Sequence, residues 1–438
     1  MAHTVETDVV VVGSGPGGAG VVRDLTRAGK KVHVLEMGRD VPPLGTAFGG
    51  AMSYTGGLLG TLSMRQGVLL TGEMLTIMRG VTTGGSSMVY LGTAHDPDPE
   101  MWAPFGFDLK TEAEQRKQEI GVAPLPDALI GSGAHAVGKA AVDLGYDWTG
   151  LNKFVDPKKC VEGCNLCIYG CPHGAKWHAR DWIMTAVSAG ATLLNEHKCE
   201  RVLTEGDRAI GVRVTERGGR SFDLHAPKIV LAAGGIGSPA ILRNTGVTEA
   251  GRSLFFDPFV MTTGVFDAVQ RPGAMMATGM HLKKEGILIT DLQYPFLMMA
   301  LQGVMAVKPS AIWRYRQSLP LMIKIRDEMT GTIDESLRVT KPLTRNDRDK
   351  LAEGKRIATK ILEAAGAKEV WHSRIGAAHP GGTCAMGTVV DENLETRFKG
   401  LHVCDASVVP VPFGIPPTLT CLALSKRLAR HLVGNGAS

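Results

Sequence analysis

Four cysteines in the middle of the chain have the type and spacing that most directly suggest chemistry. Cys160, Cys164, Cys167 and Cys171 lie within twelve positions, and Pro172 follows the last of them. Their spacing, C-x3-C-x2-C-x3-C-P, is close to the bacterial ferredoxin run C-x2-C-x2-C-x3-C-P, from which it differs by one inserted residue in the first gap. Because thiolates at such short spacing wrap around a cubane, these cysteines are predicted to ligate a [4Fe-4S] cluster.

Other interpretations of the thiols stay open. Zinc sites with four cysteines usually join two separated pairs, whereas this chain has one compact run, and a disulfide or simply buried thiols would also fit. In two-cluster ferredoxins the fourth cysteine of the run ligates the other cluster, so Cys199 is the alternative to Cys171 as a ligand. Cys384, Cys404 and Cys421 are interpreted as small core residues.

A second pattern, at the start of the chain, predicts a nucleotide site. Val9 to Val12 form a β-branched run, which is typical of a strand buried on both faces of a parallel sheet. After it, Gly13 permits a tight turn, Gly15 lets the backbone approach a pyrophosphate, and Gly18 lets the next helix pack closely on the strand. A second strand ends at Glu36, near the position expected of an acid that binds a ribose 2′-hydroxyl. A glycine turn in an ordinary α/β domain is the alternative, but the complete order of elements favours dinucleotide binding.

Three later blocks resemble the signatures of one enzyme family. Residues 79–90 read RGVTTGGSSMVY, residues 232–242 read AAGGIGSPAIL, and HPGGTCAMG at 379–387 precedes VVDENLETRFKGLHVCDASVVP at 389–410. The blocks resemble those of the glucose-methanol-choline (GMC) oxidoreductases, flavoproteins that dehydrogenate alcohols. The resemblance extends from about residue 6 to 432, is weakest at 250–340, and includes a subset of the family with a cysteine-rich insertion at the position of the run described above.

The resemblance implies an α/β fold with a Rossmann-like FAD-binding domain of GMC type and an interleaved antiparallel-sheet substrate domain. It also implies a set of FAD contacts that are spread along the chain. These are Gly84, Gly85 and Ser86 at the flavin ring, the backbone near Val202 at the adenine, Asp405 and Ala406 at the pyrophosphate and ribityl chain, and Pro417 and Thr418, which begin the closing helix, at the pyrimidine ring. A helix-cap or turn aspartate is the alternative for Asp405. Because residues 84–92 contain no histidine for a covalent link, bound FAD is expected to be non-covalent.

The C-terminal block contains a candidate for the catalytic base. Oxidation of an alcohol requires a group that takes the hydroxyl proton while hydride passes to the flavin, and histidine suits this task because its pKa lies near working pH. By resemblance His379 is that base, and a structural histidine under the glycine turn is the alternative. The family's second His or Asn falls here on Pro416, which has no side-chain donor or acceptor. His95, His281 and His372 are individually weak candidates for a replacement.

The order of the blocks predicts an interleaved domain organisation. Residues 1–100 form the first part of the FAD-binding domain, 101–190 a cap or insertion with the cysteine run, and 191–255 the second part of the FAD-binding domain. Residues 256–375 form the substrate domain, and 376–438 form the C-terminal part of the FAD-binding domain with the catalytic segment. Helices are expected at 343–366, with Thr344 as N-cap, and from Thr418 to Leu432.

Together these features predict an FAD-dependent alcohol dehydrogenase that oxidises an apolar alcohol to a carbonyl. Its electrons leave through the [4Fe-4S] cluster to an external redox protein or quinone, because a cluster passes single electrons onward from a two-electron flavin. A flavin and iron-sulfur reductase of a C=C or C=O bond is one alternative, and a non-catalytic electron-transfer subunit of a redox complex is another. The chain is expected to act as a homo-oligomer or as a subunit of a complex.

Composition narrows the remaining possibilities. The chain has 438 residues, 44% of them hydrophobic, and its net charge of +5 comes from scattered side chains, so nucleic-acid binding is not expected. No export signal or transmembrane segment is evident, which favours a cytoplasmic location. The apolar stretch 291–307 is interrupted by polar residues and predicts a buried segment rather than membrane contact. The seven methionines within 261–305 predict either core or an adaptable apolar pocket, and the basic strip 314–326 predicts a solvated face.

Overall fold

The computed structural model describes residues 7–45, 68–71, 75–270 and 273–434, with residues 68–70 described by their backbone. Helices and strands alternate irregularly along these ranges. The α-helices are α1 (Pro16–Arg27), α2 (Pro99–Trp102), α3 (Lys110–Ile120), α4 (Ser132–Asp143), α5 (Ala179–Ser188), α6 (Gly234–Asn244), α7 (Phe296–Met305), α8 (Arg345–Ala364) and α9 (Thr418–Gly434). Short 3-10 helices lie at Gly85–Met88, Ala103–Phe105, Asp127–Leu129, Cys167–Tyr169, Pro309–Ala311, Tyr315–Gln317 and Ala406–Val408.

The strands belong to a few separate sheets. They are β1 (Val9–Val12), β2 (Val32–Glu36), β3 (Val68–Leu70), β4 (Thr76–Met78), β5 (Thr93–Ala94), β6 (Ala123–Pro124), β7 (Thr149–Gly150), β8 (Asn152–Lys153), β9 (Thr192–Asn195), β10 (His197–Glu205), β11 (Arg208–Glu216), β12 (Ser221–His225), β13 (Lys228–Leu231), β14 (Phe255–Val265), β15 (Thr278–Leu282), β16 (Ile287–Asp291), β17 (Ser318–Ile325), β18 (Thr332–Ile333), β19 (Val339–Thr340), β20 (Glu369–His372), β21 (Gly376–Gly381) and β22 (Leu401–Val403).

A parallel sheet with the order β22-β13-β1-β2-β9 forms the nucleotide-binding half, as the sequence predicted. Its central strand β1 is buried along its whole length, which explains the unbroken run of valines. Helix α1 connects β1 to β2 in the βαβ unit. Strands β10, β11 and β12 form a separate antiparallel sheet, in which a hairpin turn at residues 205–208 joins β10 to β11.

A second, mixed sheet has the order β3-β4-β21-β14-β17-β16-β15-β7, and β20 also pairs with β14. Its pairs are antiparallel except for β21 with β4, so the predicted antiparallel sheet is confirmed. Helix α8 packs its apolar side chains, including Ile357 and Ile361, against β14 and β17. Thr344 caps this helix in a capping box with Asp347, which stabilises the start of the helix at the predicted position.

The closing helix α9 begins at Thr418, as predicted, and is tied to α1 and α3 by a buried ion network. The Arg116 guanidinium donates to Asp24, to Glu119 and to the carbonyl of Leu422, at 2.7, 2.9 and 3.1 Å. Because an unpaired buried guanidinium would be costly, these partners fix the three helices relative to one another. The N-terminus of α9 is thereby held beside the helix that follows the glycine turn.

Two predictions about the middle of the chain are wrong. Lys324 does not lie on a solvated face, because its side chain is buried in β17. The stretch 291–307 is not buried throughout, since α7 within it exposes Leu297 and Leu301. No helix in the described ranges is long and apolar enough to cross a membrane.

Candidate active site

The first glycine turn has a distinct geometry at each glycine. Gly13 adopts a φ of +104°, and a side chain there would collide with the backbone of Ala232 on the neighbouring strand. A Cβ at Gly18 would lie 2.1 Å from the carbonyl oxygen of Gly13, so only glycine lets α1 start this close to β1. A Cβ at Gly15 would meet no described atom within 4 Å. The turn is therefore packed tightly at its two ends and open at its centre.

Glu36 lies directly beneath this turn. Its carboxylate accepts hydrogen bonds from Ser14 N at 3.2 Å, from the Ser14 hydroxyl and from Gly38 N at 2.9 Å. The Ser14 hydroxyl oxygen in turn accepts from Gly84 N at 3.0 Å, which joins the first glycine turn to the 79–90 block. Burial raises the pKa of Glu36 and the bonds from Ser14 oppose that shift.

The 79–90 block packs onto the first turn. Gly84 and Gly85 both have positive φ, at 94° and 55°, and a Cβ on Gly85 would lie 3.0 Å from Gly15 Cα. Ser86 is exposed, and its hydroxyl accepts from Gly80 N at 3.2 Å. Residues distant in sequence are therefore brought together around the open centre of the turn.

Asp405 joins the second glycine-rich block to the C-terminal block. Its carboxylate accepts from Gly234 N at 2.8 Å, from the Ser238 hydroxyl at 2.6 Å and from Ser407 N at 2.8 Å. The side chain therefore acts as a turn and cap aspartate, which was the alternative interpretation of this residue, and burial raises its pKa. The backbone at Cys404 and Asp405 packs against α1, because a Cβ at Gly17 would lie 1.9 Å from the Cys404 carbonyl oxygen and 3.5 Å from Asp405 Cα.

The remaining predicted cofactor residues lie on separate elements. Val202 is on β10, and its backbone N–H donates to the Thr245 hydroxyl at 2.9 Å. Ala406 accepts a bond from Gly382 N at 3.3 Å, so it contacts the turn after β21. Pro417 is buried before α9, and Thr418 is the half-buried first residue of that helix.

His379 lies on β21 at an irregularity in the mixed sheet. Phe255 pairs with Gly381 and Asp257 with Ala378, so β21 has one extra residue between these pairs. His379 has a φ of +51° within this extra length. A bulge of this kind re-aims a side chain, and the left-handed conformation costs about 1–3 kcal/mol for a non-glycine residue.

Two buried charged residues contact the His379 imidazole. Nδ1 is 2.7 Å from Oδ2 of Asp257 on β14 and 3.2 Å from Nζ of Lys324 on β17. The three strands are neighbours in the order β21-β14-β17, and Lys324 pairs with Phe259, two residues from Asp257 on the same strand face. The other Asp257 oxygen accepts from Gly414 N at 3.1 Å. Asp257 therefore links His379 to the segment just before Pro416.

Burial shifts the pKa values of Asp257, Lys324 and His379. It raises the pKa of Asp257 to about 7, against the effect of the Lys324 charge, and it lowers the pKa of Lys324 to about 8. Burial, reinforced by the Lys324 charge, holds the pKa of His379 well below its usual value. Burial is the main cause that lowers the pKa of His95 to about 3. The charges of the nearby Lys324 and His379 add to that shift. Among the described residues, nothing hydrogen-bonds Nε2 of His379, whose side chain is 24% exposed.

Asp257 was missed by the sequence analysis, and Lys324 was misinterpreted. Each is a lone charged residue inside an otherwise apolar buried strand, FFDPFVM for Asp257 and SLPLMIKI for Lys324. Since buried charges are rare unless they are paired, that pattern was the available signal. His372, in contrast, is exposed on β20 and bonds to Thr262, so it lies outside this group.

The cysteine run forms a loop whose thiols differ in burial. Cys167 and Cys171 are buried, whereas Cys160 and Cys164 are half-buried. Burial raises the pKa of Cys160 to about 12, and the neighbouring thiols of the run reinforce that shift. Among the described residues, no three His, Cys, Asp or Glu side chains are arranged to hold a metal ion.

Two buried lysines lie between the cysteine loop and the 79–90 block. Lys176 Nζ donates to the carbonyls of Cys167 at 2.6 Å, Tyr90 at 2.9 Å and Met88 at 3.0 Å. Lys153 Nζ donates to backbone carbonyls, among them Met275 at 2.7 Å. Within the described ranges neither ammonium has an ion-pair partner within 4.0 Å. Cys199 lies apart from this region, on β10 in the core of the nucleotide-binding half, and Cys384, Cys404 and Cys421 are buried core residues as predicted.

These features define a class of protein. A parallel sheet with a glycine turn open at its centre, next to a mixed sheet that presents a half-buried histidine, is an arrangement that suits a dinucleotide-dependent oxidoreductase. N-terminal and C-terminal sequence models of the GMC oxidoreductase family match residues 49–259 and 324–425. The chain therefore belongs to the GMC oxidoreductase family, and it is an FAD-dependent oxidoreductase that acts on CH–OH groups.

Individual relatives extend over nearly the whole chain. An uncharacterised GMC-type oxidoreductase of Mycobacterium tuberculosis is 28% identical, with 97% of this chain and 76% of the relative covered. Long-chain-alcohol oxidase FAO4B of Arabidopsis thaliana is 27% identical, with 98% and 68% covered, and an uncharacterised protein of Methanocaldococcus jannaschii is 26% identical, with 97% and 100% covered. Pyridoxine 4-oxidase from Mesorbium loti has the same fold, with a TM-score of 0.73 at 18% identity over 97% of this chain and 99% of that one.

Proposed function

We propose that this protein is a dehydrogenase that oxidises an apolar alcohol to a carbonyl, with His379 as the base that takes the hydroxyl proton. Electrons then leave through a [4Fe-4S] cluster to an external redox protein or quinone. The observation that carries the proposal is the arrangement around His379, with a carboxylate at 2.7 Å from Nδ1 and an Nε2 that is free among the described residues.

The residues around the first glycine turn suit FAD. The open centre at Gly15 leaves room for a pyrophosphate at the N-terminus of α1, where backbone N–H groups favour an anion. Gly84, Gly85 and Ser86 would lie along the flavin ring, Glu36 would bind the ribose, Val202 would meet the adenine, and the backbone of Asp405 and Ala406 would meet the pyrophosphate. Pro417 and Thr418 would present the positive end of α9 to the pyrimidine ring. Bound FAD supplies the hydride acceptor.

Gly15→Ala tests this assignment without disturbing the fold. Gly15 has a φ of −66° and open space around it, so alanine fits its conformation. We expect the unfolding free energy of the apo-protein to change by less than about 0.5 kcal/mol. The dissociation constant for FAD should rise at least about tenfold, because the new methyl group occupies the pyrophosphate position. Gly218→Ala, in the open turn between β11 and β12, is the matched control, and equal FAD affinity in both variants would contradict the assignment.

Asp257 determines which nitrogen of His379 acts. Nδ1 lies 2.7 Å from the Asp257 carboxylate, which accepts and does not donate, and 3.2 Å from the Lys324 ammonium, which donates and does not accept. We take the shorter contact as the hydrogen bond, so that Nδ1 donates to Asp257 and the Nε2 lone pair is left for the substrate hydroxyl. The same carboxylate stabilises the imidazolium that forms when the proton is taken. The charge of Lys324 favours the ionised form of Asp257, against the effect of burial, and favours the neutral form of His379 before substrate binds. This support replaces the side chain that Pro416 lacks.

Asp257→Asn should therefore slow flavin reduction by substrate about 10- to 100-fold, since a hydrogen bond to a charged group contributes about 1.5–3 kcal/mol. The pH profile distinguishes positioning from simple damage. Because the pKa of Asp257 is raised to about 7, its carboxylate form is lost as pH falls through that value, and the rate constant of the unmodified enzyme should fall with it. Stopped-flow measurements on the Asn variant should lack this step. A step of equal size in the variant would assign the pH dependence to another group.

The apolar character of the substrate is supported by one of the relatives, not by the methionines of residues 261–305. Met261, Met275, Met276, Met299 and Met322 belong to one buried cluster beside β14 and β17, so most methionines of the 261–305 stretch are core residues. The long-chain-alcohol oxidase of Arabidopsis thaliana acts on an apolar substrate by its name, and it aligns with nearly the whole chain.

Support for the cluster comes from the donor set and the charges around it. Cys160, Cys164, Cys167 and Cys171 supply four thiols in a short loop, and Lys176 N donates to the Cys171 sulfur at 3.4 Å, a contact typical of cluster-binding loops. Four thiolates around a [4Fe-4S] cluster carry net negative charge, which would offset the buried Lys153 and Lys176 ammonium groups. When bound, the cluster passes electrons singly to the acceptor.

One preparation tests the proposal. Protein isolated without oxygen should contain FAD with about four iron and four sulfide per chain. A panel of alcohols of increasing chain length should reduce its flavin and support turnover with an artificial acceptor. Inertness toward all alcohols would favour an electron-transfer subunit, and reduction of C=C or C=O compounds by the reduced protein would favour the reverse reaction. Zinc in place of iron would end the cluster assignment.

A further inference from the structure

Exposed apolar side chains are concentrated on one surface of the protein, since eight of the 15 large apolar side chains that are exposed in the described ranges lie within residues 296–313. Helix α7 is apolar on both faces, and its outer face continues into the residues that follow it. The exposed apolar side chains of this surface are Phe296, Leu297, Leu301, Val304, Met305, Val307, Ile312 and Trp313, with exposed fractions from 36% to 83%. We call it the α7 surface. Because contiguous apolar patches of this size mark interaction sites, it requires a partner.

The end of α7 indicates that this exposure is built into the fold. Lys308 N bonds to Gly303 O at 2.7 Å and Val307 N to Val304 O at 3.0 Å, which is the Schellman arrangement at a helix C-terminus. The residue at its left-handed position is ordinarily glycine, but here Val307 adopts a φ of +57° and is 83% exposed. A β-branched residue is strained there and gains nothing from burial within this chain. The strain is understandable if Val307 is buried by something else.

The charge of the α7 surface identifies that partner. Residues 292–326 contain no Asp or Glu, and Lys308, Arg314 and Arg316 border the apolar side chains. Arg374 joins them, since its Nε donates to Met305 O at 3.3 Å. Glu369 pairs with Lys308 at 2.9 Å, which leaves an excess of positive charge around the surface. An apolar helix with an exposed tryptophan and a cationic border fits the headgroup region of an anionic bilayer.

The α7 surface adjoins the cysteine loop. Tyr315 lies beside Asn165 of that loop, donates its hydroxyl to Tyr294 O at 2.7 Å and stacks edge-on against Phe296, with ring centroids 5.4 Å apart. On the inner side of α7, Met299 packs in the same cluster as Cys167. Cys160 and Cys164 of the loop are half-buried, and Cys167 and Cys171 are buried. Docking through α7 would therefore bring the loop next to the bilayer.

We infer that the α7 surface docks this protein on the surface of a bilayer that contains anionic phospholipids. The helix lies in the plane of the interface with its outer face among the acyl chains, and Arg316 and Arg374 contact the headgroups. The docking itself does not depend on the proposed reaction. The consequence that electrons leave toward a quinone in the membrane rests on the proposed function.

Sedimentation with vesicles tests the inference on the full-length, anaerobically isolated protein. Binding to phosphatidylcholine vesicles that contain phosphatidylglycerol should exceed binding to phosphatidylcholine alone and should weaken with salt. Leu297→Ser combined with Leu301→Ser should weaken it about tenfold or more, since two half-exposed leucines lose their apolar contact with lipid. Val142→Ser, at an equally exposed valine on α4, is the matched control and should bind as the unmodified protein does.

Three outcomes would overturn the inference. The first is absence of binding to the anionic vesicles, and the second is equal binding by the control and by the variant changed at Leu297 and Leu301. The third is a dimer in solution that dissociates in the leucine variant, because the α7 surface would then be an interface between copies. Flavin reduction by alcohol and iron content, measured on the same proteins, should not change. The failure of docking is thus distinguishable from failure of the proposed function.

Discussion

Replacing His379 by asparagine should slow flavin reduction by alcohol about 10²- to 10⁴-fold while leaving FAD bound, because a positioned general base contributes an effect of that size. Asparagine is the informative substitution, since it tolerates the left-handed conformation that His379 adopts at a φ of +51°. It can also remain hydrogen-bonded to Asp257, so the sheet irregularity is preserved. Alanine removes the base as well, but it adds backbone strain at this position.

The measurement is the rate constant of flavin reduction under anaerobic single-turnover conditions, with FAD content determined on the same sample. His372→Ala is the matched control, because His372 is a histidine of the same sheet that is exposed and bonded to Thr262 at 3.0 Å. The control should reduce its flavin at the unmodified rate. If the His379→Asn enzyme did the same, the base would have to be sought among other residues, with His95 first because of its proximity.

The nucleotide-binding half could be predicted from the sequence because its signals are local. The valines of β1, the glycines at 13, 15 and 18 and the acid at 36 all belong to one βαβ unit, whose geometry depends on neighbours in the chain. Even here the sequence did not show that the Asp405 carboxylate accepts hydrogen bonds from Gly234 N and the Ser238 hydroxyl. That role depends on a contact across about 170 residues, which no local pattern records.

The support for His379 could not be predicted for the same reason. Asp257 and Lys324 reach it through the pairing of β14 with β21 and β17, and the extra residue in β21 turns the imidazole toward them. A shift of one residue in either pairing would send the side chains to opposite faces of the sheet. Register and bulge position are set by the whole sheet, so sequence could identify the histidine by resemblance but not its two partners.

Hydropathy likewise could not determine which face of α7 is covered. The stretch 291–307 is apolar enough to be core, and Met299 is indeed buried, but Leu297 and Leu301 point away from the protein. An apolar helix at the surface and one in the interior have the same composition. What separates them is tertiary packing, and the absence of acids from 292–326 was the only sequence feature that pointed to an external partner.

The contact between the cysteine loop and the 79–90 block leads to the second prediction of a large effect. Lys176 holds the carbonyls of Cys167 and of the 79–90 block on one ammonium group, so the loop that would carry the cluster is fixed against the loop that would carry the flavin. Cys167 and Cys171 of this loop are buried, whereas Cys160 and Cys164 are half-buried. If the loop holds the proposed cluster, electrons from the flavin would pass through it to the acceptor.

Changing Cys164 and Cys167 together to serine should therefore separate the two half-reactions. Iron should fall from about four per chain to near zero, since a cluster requires thiolate ligands that serine does not supply at neutral pH. Alcohol should still reduce the flavin at close to the unmodified rate, because His379 and Asp257 are untouched, whereas turnover with a one-electron protein acceptor should be lost. Cys199→Ser is the matched control, because Cys199 is a buried cysteine on β10 in the core of the nucleotide-binding half. This variant should keep both iron and turnover. If the double variant still passed electrons to the acceptor, the flavin would deliver them directly and the cysteine loop would be structural.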